Sequence, residues 1–271
     1  MFQRPAKMAL ANRRISAARV IIVAAVLGVV GLAAGVELTL SAGGGAAGAS
    51  RQPQRTRPAR QVALSRQSAV PGSTVLATVL ETAPRYASPG RRVAGAIPAS
   101  WYGRPSVLPV IATRPGWVRV RLAQRPNGSR AWLPASDVTL SSTPYRIVID
   151  LPKTRLALYD HGRLVFSAPA GVGTPDDPTP SGEYFVAFDE QPPQPNPGYG
   201  PVIIVTSAHS LSISDWEGSG DAVIGIHGPL GEDSEIGTTG ARISHGCIRL
   251  HDQAVEMLDA VPAGTPIDVV S

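Results

Sequence analysis

At 271 residues the chain has room for one large domain or two modest ones, each able to build a core without disulfides or structural metal. Its 28 glycines and 26 prolines argue for many turns and a mainly β architecture, against a helical bundle. The net charge of +5 hides two opposite halves: residues 67–141 hold nine arginines against two carboxylates, and residues 142–271 hold six basic against seventeen acidic side chains. The basic half has few aromatics among its arginines and no zinc-finger or helix-turn-helix signature, so no nucleic-acid partner is expected; an anionic surface suits it better.

Residues 1–19 form a basic segment with Arg4, Lys7, Arg13, Arg14 and Arg19. Residues 20–36 follow without a charge, and Leu38 to Leu40 extend the apolar run past Glu37. The segment 20–40 is therefore expected to be a transmembrane anchor or signal segment, with the basic flank cytoplasmic and the remainder extracytoplasmic. Ala47-Gly48-Ala49 offers a cleavage site, so an uncleaved anchor and cleaved export both stand, the anchor preferred. Residues 41–66 turn Gly/Ala-rich and then Pro/Arg-rich, with no apolar face, and are expected to be a flexible linker.

Short β-prone runs follow at 73–80, 91–97, 107–112, 116–122 and 130–133, separated by glycine and proline. Val118, Val120 and Leu122 alternate with Arg119 and Arg121, as in a half-buried strand, and Asn127-Gly128 is a hairpin signal before the returning strand. Gly116-Trp117-Val118 and Arg130-Ala131-Trp132-Leu133-Pro134 with Ala135 to Val138 resemble a bacterial SH3-like domain, expected over 67–141. Beyond Pro144 a second domain, 145–271, is expected, with strands at 145–150, 155–159, 163–167, 183–188, 201–205, 222–227 and 266–270. Asp160-His161-Gly162 reads as a tight turn between two of them. Only residues 252–258 have a helical pattern, with Ala254, Val255 and Leu258 on one face and Pro262 beyond.

The lone cysteine of the chain, Cys247, stands in Ser244-His245-Gly246-Cys247-Ile248-Arg249-Leu250. An exported single thiol is buried and inert, bonded to a partner, a metal ligand, or kept for chemistry. As a nucleophile it needs a proton acceptor and N–H donors for the oxyanion. His245 at i−2 faces the same way on a straight strand, Gly246 allows close backbone approach, and a second histidine stands upstream in His227-Gly228. Cys247, His245 and His227 are also three conceivable zinc ligands, but no second ligand pair with metal spacing occurs. Glycines at 43–45 and 171–173 form no phosphate or dinucleotide loop.

His227, sixteen intervening residues and then Ser-His-Gly-Cys at 244–247 resemble the signature of the L,D-transpeptidase catalytic domain, the YkuD-like family. Gly171-Val172-Gly173-Thr174-Pro175 and Pro178-Thr179-Pro180-Ser181-Gly182-Glu183-Tyr184 resemble its glycine and TPTG-like segment, lengthened by Asp176-Asp177, which are expected to stay clear of the chemistry. The resemblance implies a YkuD-like β-sandwich that needs no cofactor and no metal. It also implies peptidoglycan stem peptides as donor and acceptor, a thioester on Cys247 with release of D-alanine, and a 3→3 crosslink. His245 would serve as base and then acid, and His227 would orient substrate or support the oxyanion region. Gly228, Ser244 and Gly246 would line the site, and Arg249 would hold a carboxylate or form a structural ion pair. Water in place of an amine gives a carboxypeptidase; loss of chemistry gives a wall-binding protein. Tyr199, Trp216 and His209 are weaker site candidates, and His161 and His251 are expected to be bland.

Overall fold

Pleated strands dominate the regular structure of the chain, which a computed structural model describes over residues 70–271 except 217 and 239. The basic segment, apolar run and linker expected over 1–66 lie outside the described residues. Among the described residues no helix is long and apolar enough to cross a membrane.

The basic half is built from β1 (Thr74–Val79), β2 (Ala83–Ser88), β3 (Arg91–Ile97), β4 (Ser100–Trp101), β5 (Arg104–Pro105), β6 (Val107–Arg114), β7 (Trp117–Arg121), β8 (Arg130–Pro134) and β9 (Val138–Thr143). Seven of these make one sheet in the order β3-β2-β8-β7-β6-β1-β9, and β4 with β5 forms a small hairpin. Val118 and Val120 of β7 point into the core with Val79, Ile97, Leu108 and Leu133, while Arg119 and Arg121 face outward, as the alternation predicts. Trp132 is buried beneath the Arg114 guanidinium, 5.3 Å from its ring centre, and Trp117 packs edge-on against Tyr86. Both tryptophans are thus packing residues. Two strands of the seven-stranded sheet were not expected from the sequence: Pro84 interrupts the apolar pattern of β2, and β9 is exposed along its middle although it pairs with β1 over six positions.

The acidic half comprises β10 (Tyr145–Asp150), β11 (Arg155–Asp160), β12 (Arg163–Pro169), β13 (Val172–Gly173), β14 (Gly182–Glu190), β15 (Ile203–His209), β16 (Val223–His227), β17 (Arg242–Ser244), β18 (Ile248–Arg249), α1 (Asp252–Glu256) and β19 (Pro266–Val270). Eight strands run β12-β11-β10-β19-β14-β15-β16-β18. The long strand β14 pairs with β19 through residues 182–185 and with β15 through 186–190, with a register irregularity between, so it passes from one half of the sheet to the other. Ile147, Ile149, Leu156 and Leu158 from one half meet Ile204, Ile224, Ile226 and Ile248 from the other in a common core, which is a sandwich folded from a continuous sheet. His161 and Gly162 both have positive φ, 48° and 75°, giving the two-residue hairpin turn expected between β11 and β12. The helix is shorter than its apolar pattern suggests, but Ala254, Val255 and Leu258 all enter the core as that pattern requires.

Residues 70–271 belong to a single compact unit. Phe185 of β14 is buried in the core of the basic half, and Trp101 of β4 packs edge-on against Phe188 of the same strand. The loop after β7 is longer than a two-residue hairpin: Asn127 does not simply turn the chain but bonds across to β15, its amide accepting from the His209 N–H at 2.9 Å and donating to the His209 carbonyl at 2.7 Å.

Candidate active site

Strands β16 and β18 run parallel, with Ile226 beside Ile248 and His227 beside Arg249. Ile226 and Ile248 face the core, so by the two-residue alternation Gly225, His227 and Arg249 share the opposite face. Cys247, just before β18, falls beside Gly225, whose N–H donates to its Sγ at 3.4 Å. The nucleophile candidate and His227 are therefore brought to one face of adjacent strands.

The turn that presents Cys247 is tied from three sides. Ser244 Oγ donates to the Cys247 carbonyl at 2.5 Å and accepts from the Gly246 N–H at 3.2 Å. Thr179 Oγ1 donates to the Gly246 carbonyl at 2.7 Å and accepts from the Gly173 N–H at 2.8 Å. Gly246 has φ of +113°, and a Cβ there would stand 2.8 Å from Ile224 Cδ1, so the turn needs glycine on both counts. Residues 245–247 thus form an irregular turn and not a straight strand. His245 points to solvent with 58% of its side chain exposed, whereas Cys247 is half-buried.

His227 is buried under Tyr199, whose ring meets it edge-on at 5.0 Å. Its Nδ1 lies 2.8 Å from the Gly228 carbonyl, which can only accept, so Nδ1 carries the hydrogen and Nε2 keeps a free lone pair. Burial lowers its pKa to about 4; the Gly228 bond works the other way, and the Arg249 charge adds to the lowering. The imidazole is thus neutral at ordinary pH. Burial pushes the Cys247 thiol up, and the Gly225 N–H and the Arg249 charge only partly offset it. Gly228 itself is a close-contact position: its N–H donates to the Tyr199 carbonyl at 2.7 Å, and a Cβ would lie 2.5 Å from the Gly200 nitrogen.

His245 instead pairs with Asp177, Nδ1 to Oδ2 at 2.5 Å. The inserted Asp176-Asp177 pair thus places a carboxylate on the signature histidine. Hydrogen bonds from His245 and then Ser212 hold the Asp177 carboxyl below the usual range. No sequence signal marked Asp177 or Ser212, because their partners are 68 and 35 residues away along the chain. Thr179 was visible only through the TPTG-like resemblance. Trp216 lies tilted over His245 with ring centres 5.8 Å apart.

Arg249 is buried and forms an ion pair with Glu232, the structural alternative raised for it. His209 is buried 2.8 Å from Asp221, away from Cys247 in the chain of contacts, against Trp101. His161 is exposed in its turn beside Asp160, and His251 occupies the N-cap position of α1 without a side-chain cap, paired with Asp233. Among the described residues no three His, Cys, Asp or Glu side chains are grouped as metal ligands.

Residues 144–269 match the YkuD family, the L,D-transpeptidase catalytic domain. These residues form a YkuD-like catalytic domain. The domain is similar to the putative L,D-transpeptidase YkuD of Bacillus licheniformis, with 37% identity over 127 residues, 46% of this chain and 66% of that protein. The corresponding Bacillus subtilis protein is 31% identical over the same shares. The chain thus spans 66% of the length of these curated relatives. Among solved structures, an L,D-transpeptidase from Mycobacterium smegmatis aligns at 21% identity and a TM-score of 0.36, over 57% of this chain and 91% of that one. The YkuD match stops at residue 144 and leaves the basic half unassigned.

Proposed function

We propose that the protein is a cysteine-dependent peptidoglycan L,D-transpeptidase. The observation that carries this reading is the Cys247 thiol set on the same strand face as a neutral, Gly228-anchored His227. Cys247 Sγ attacks the carbonyl between the third residue and the terminal D-alanine of a tetrapeptide stem. His227 Nε2, rather than His245, accepts the thiol proton and returns it to the departing D-alanine amine. The amine of a second stem then attacks the thioester, its proton passes through the same imidazole, and the thiol is regenerated with a 3→3 crosslink formed. The Cys247 N–H is the favoured oxyanion donor, since Ser244 Oγ already takes that of Gly246. The exposed His245–Asp177 pair binds polar stem groups at the rim, and Arg249 with Glu232 supports the floor. Family membership of residues 144–269 and the relatives' names support the substrate class.

The apolar run at 20–40 supports a place outside the cytoplasmic membrane, facing the wall. The tryptophan-bearing strands β7 and β8 keep an SH3-like reading of the basic half as a proposal.

Incubation of the protein and its Cys247→Ala form with tetrapeptide muropeptides tests the reading by mass spectrometry. Dimers lacking one D-alanine are expected from the first protein alone. Tripeptides without dimers would make it a carboxypeptidase, and unchanged substrate from both would leave only a wall-binding role. Covalent capture of a carbapenem at Cys247, implied by the family, is expected as a mass increase absent from Cys247→Ala.

A further inference from the structure

The segment between β15 and β16, residues 210–222, reaches the exposed side of the site with two side chains. Ser212 Oγ donates to Asp177 Oδ1 at 2.7 Å, on the same carboxylate that meets His245, and Trp216 lies against the His245 ring. Among its described residues this segment has neither strand nor helix; the Ser210 N–H donates to the Ala222 carbonyl at 2.8 Å and the Trp216 N–H to the Asp221 carbonyl at 2.9 Å. One guanidinium from the basic half ties it further. Arg125 donates from Nε to Asp221 Oδ1 at 2.8 Å, from Nη1 to the Ser210 carbonyl at 2.9 Å and from Nη2 to the Ile213 carbonyl at 3.1 Å. The two ends of the segment, Ser210 with Ile213 and Asp221, are thereby bound to a single planar group, a geometry that lysine cannot reproduce. Two residues on, Asn127 clamps the His209 backbone where the segment leaves β15.

We propose that Arg125 is a positioning residue for the active site, holding residues 210–222 so that Ser212 and Trp216 fix the Asp177–His245 pair. The proposal rests on the transpeptidase reading for its consequence, while the chain of contacts stands apart from it. Isolated exposed ion pairs contribute little, but this guanidinium also satisfies two carbonyls, so its loss removes three hydrogen bonds from the segment at once. Asp221 suits the role: burial pushes its carboxyl up, yet Arg125, the Ala222 N–H and His209 outweigh this and keep it ionised. The basic half then acts on the chemistry of the acidic half through a side chain that never touches substrate.

The test compares full-length wild type with Arg125→Ala, Arg125→Lys and Arg121→Ala. The last removes a second cross-half ion pair, Arg121 with Glu183 at 2.5 Å, whose carboxylate lies on β14 and not in residues 210–222. Acrylamide quenching of Trp216 is isolated as the difference between each protein and its Trp216→Phe counterpart. Arg125→Ala is expected to expose Trp216 and to raise KM for the tetrapeptide stem about tenfold, with a smaller change in kcat, since the His245–Asp177 pair binds the stem at the rim. Arg125→Lys is expected to fall between, and Arg121→Ala to resemble wild type. A Trp216 as shielded in Arg125→Ala as in wild type overturns the proposal, as do equal losses in Arg121→Ala. A wild type that turns over no stem peptide would sink the transpeptidase reading, and the quenching comparison would still decide the positioning.

Discussion

The charge on His227 sets the pH behaviour of the site. The ring is neutral above about pH 4, so the proton acceptor of the proposed mechanism is expected to stay available well into the acid range. Substituting His227→Gln is expected to lower the rate of thioester formation about 10²–10⁴-fold, measured by single-turnover mass spectrometry. The same group links stability to pH. Its pKa falls from 6.5 unfolded to about 4 folded, so the folded state binds fewer protons between these values. The associated stability, on the order of 3 kcal/mol, is full above the unfolded pKa and is lost as the pH falls through the folded one. Urea unfolding at pH 7 and pH 4 is expected to show this loss, and a shallower one in His227→Gln. The thiol behaves oppositely: burial holds Cys247 protonated, so its alkylation by iodoacetamide is expected to be slower at pH 8 than that of a free cysteine and to rise further into alkali.

The turn 244–247 shows what a short motif can and cannot reveal. Gly246→Ala is expected to cost about 1–3 kcal/mol in thermal or urea melts, since alanine is strained at the observed φ and its Cβ meets Ile224. Thr179→Val leaves the Gly173 N–H and Gly246 carbonyl without their shared hydroxyl, and a loss of similar size is expected. The lone cysteine, the spaced histidines and the alternation of β7 were legible because their signal is local: residue type, spacing and period. The exposure of His245 was not, because it depends on the turn at Gly246 and on the contact with Asp177. Strands β17 and β18 were hidden by being two or three residues long, and the His245–Asp177 pair by the chain length between its members. Arg249 carried both of its readings in the sequence, and only the position of Glu232 in the fold selects the ion pair.

At the scale of the molecule the opposite charges of the two halves meet in named contacts, Arg121 with Glu183 and Arg125 with Asp221, around the buried ring of Phe185. Phe185→Ala is expected to cost about 3–5 kcal/mol and to loosen the basic half, whose core that ring fills, although the residue belongs to a strand of the other half. Denaturation followed by fluorescence from Trp132 and by circular dichroism is expected to shift together. The position of β19 reaches further. It lies between β10 and β14, pairing with both, yet it follows Cys247 in the chain. Synthesis therefore delivers Cys247, His227 and His245 before the strand that joins β10 to β14. A chain whose residues 266–270 are still held in a ribosome or export channel is expected to leave β10 to β12 unjoined to β14 to β18.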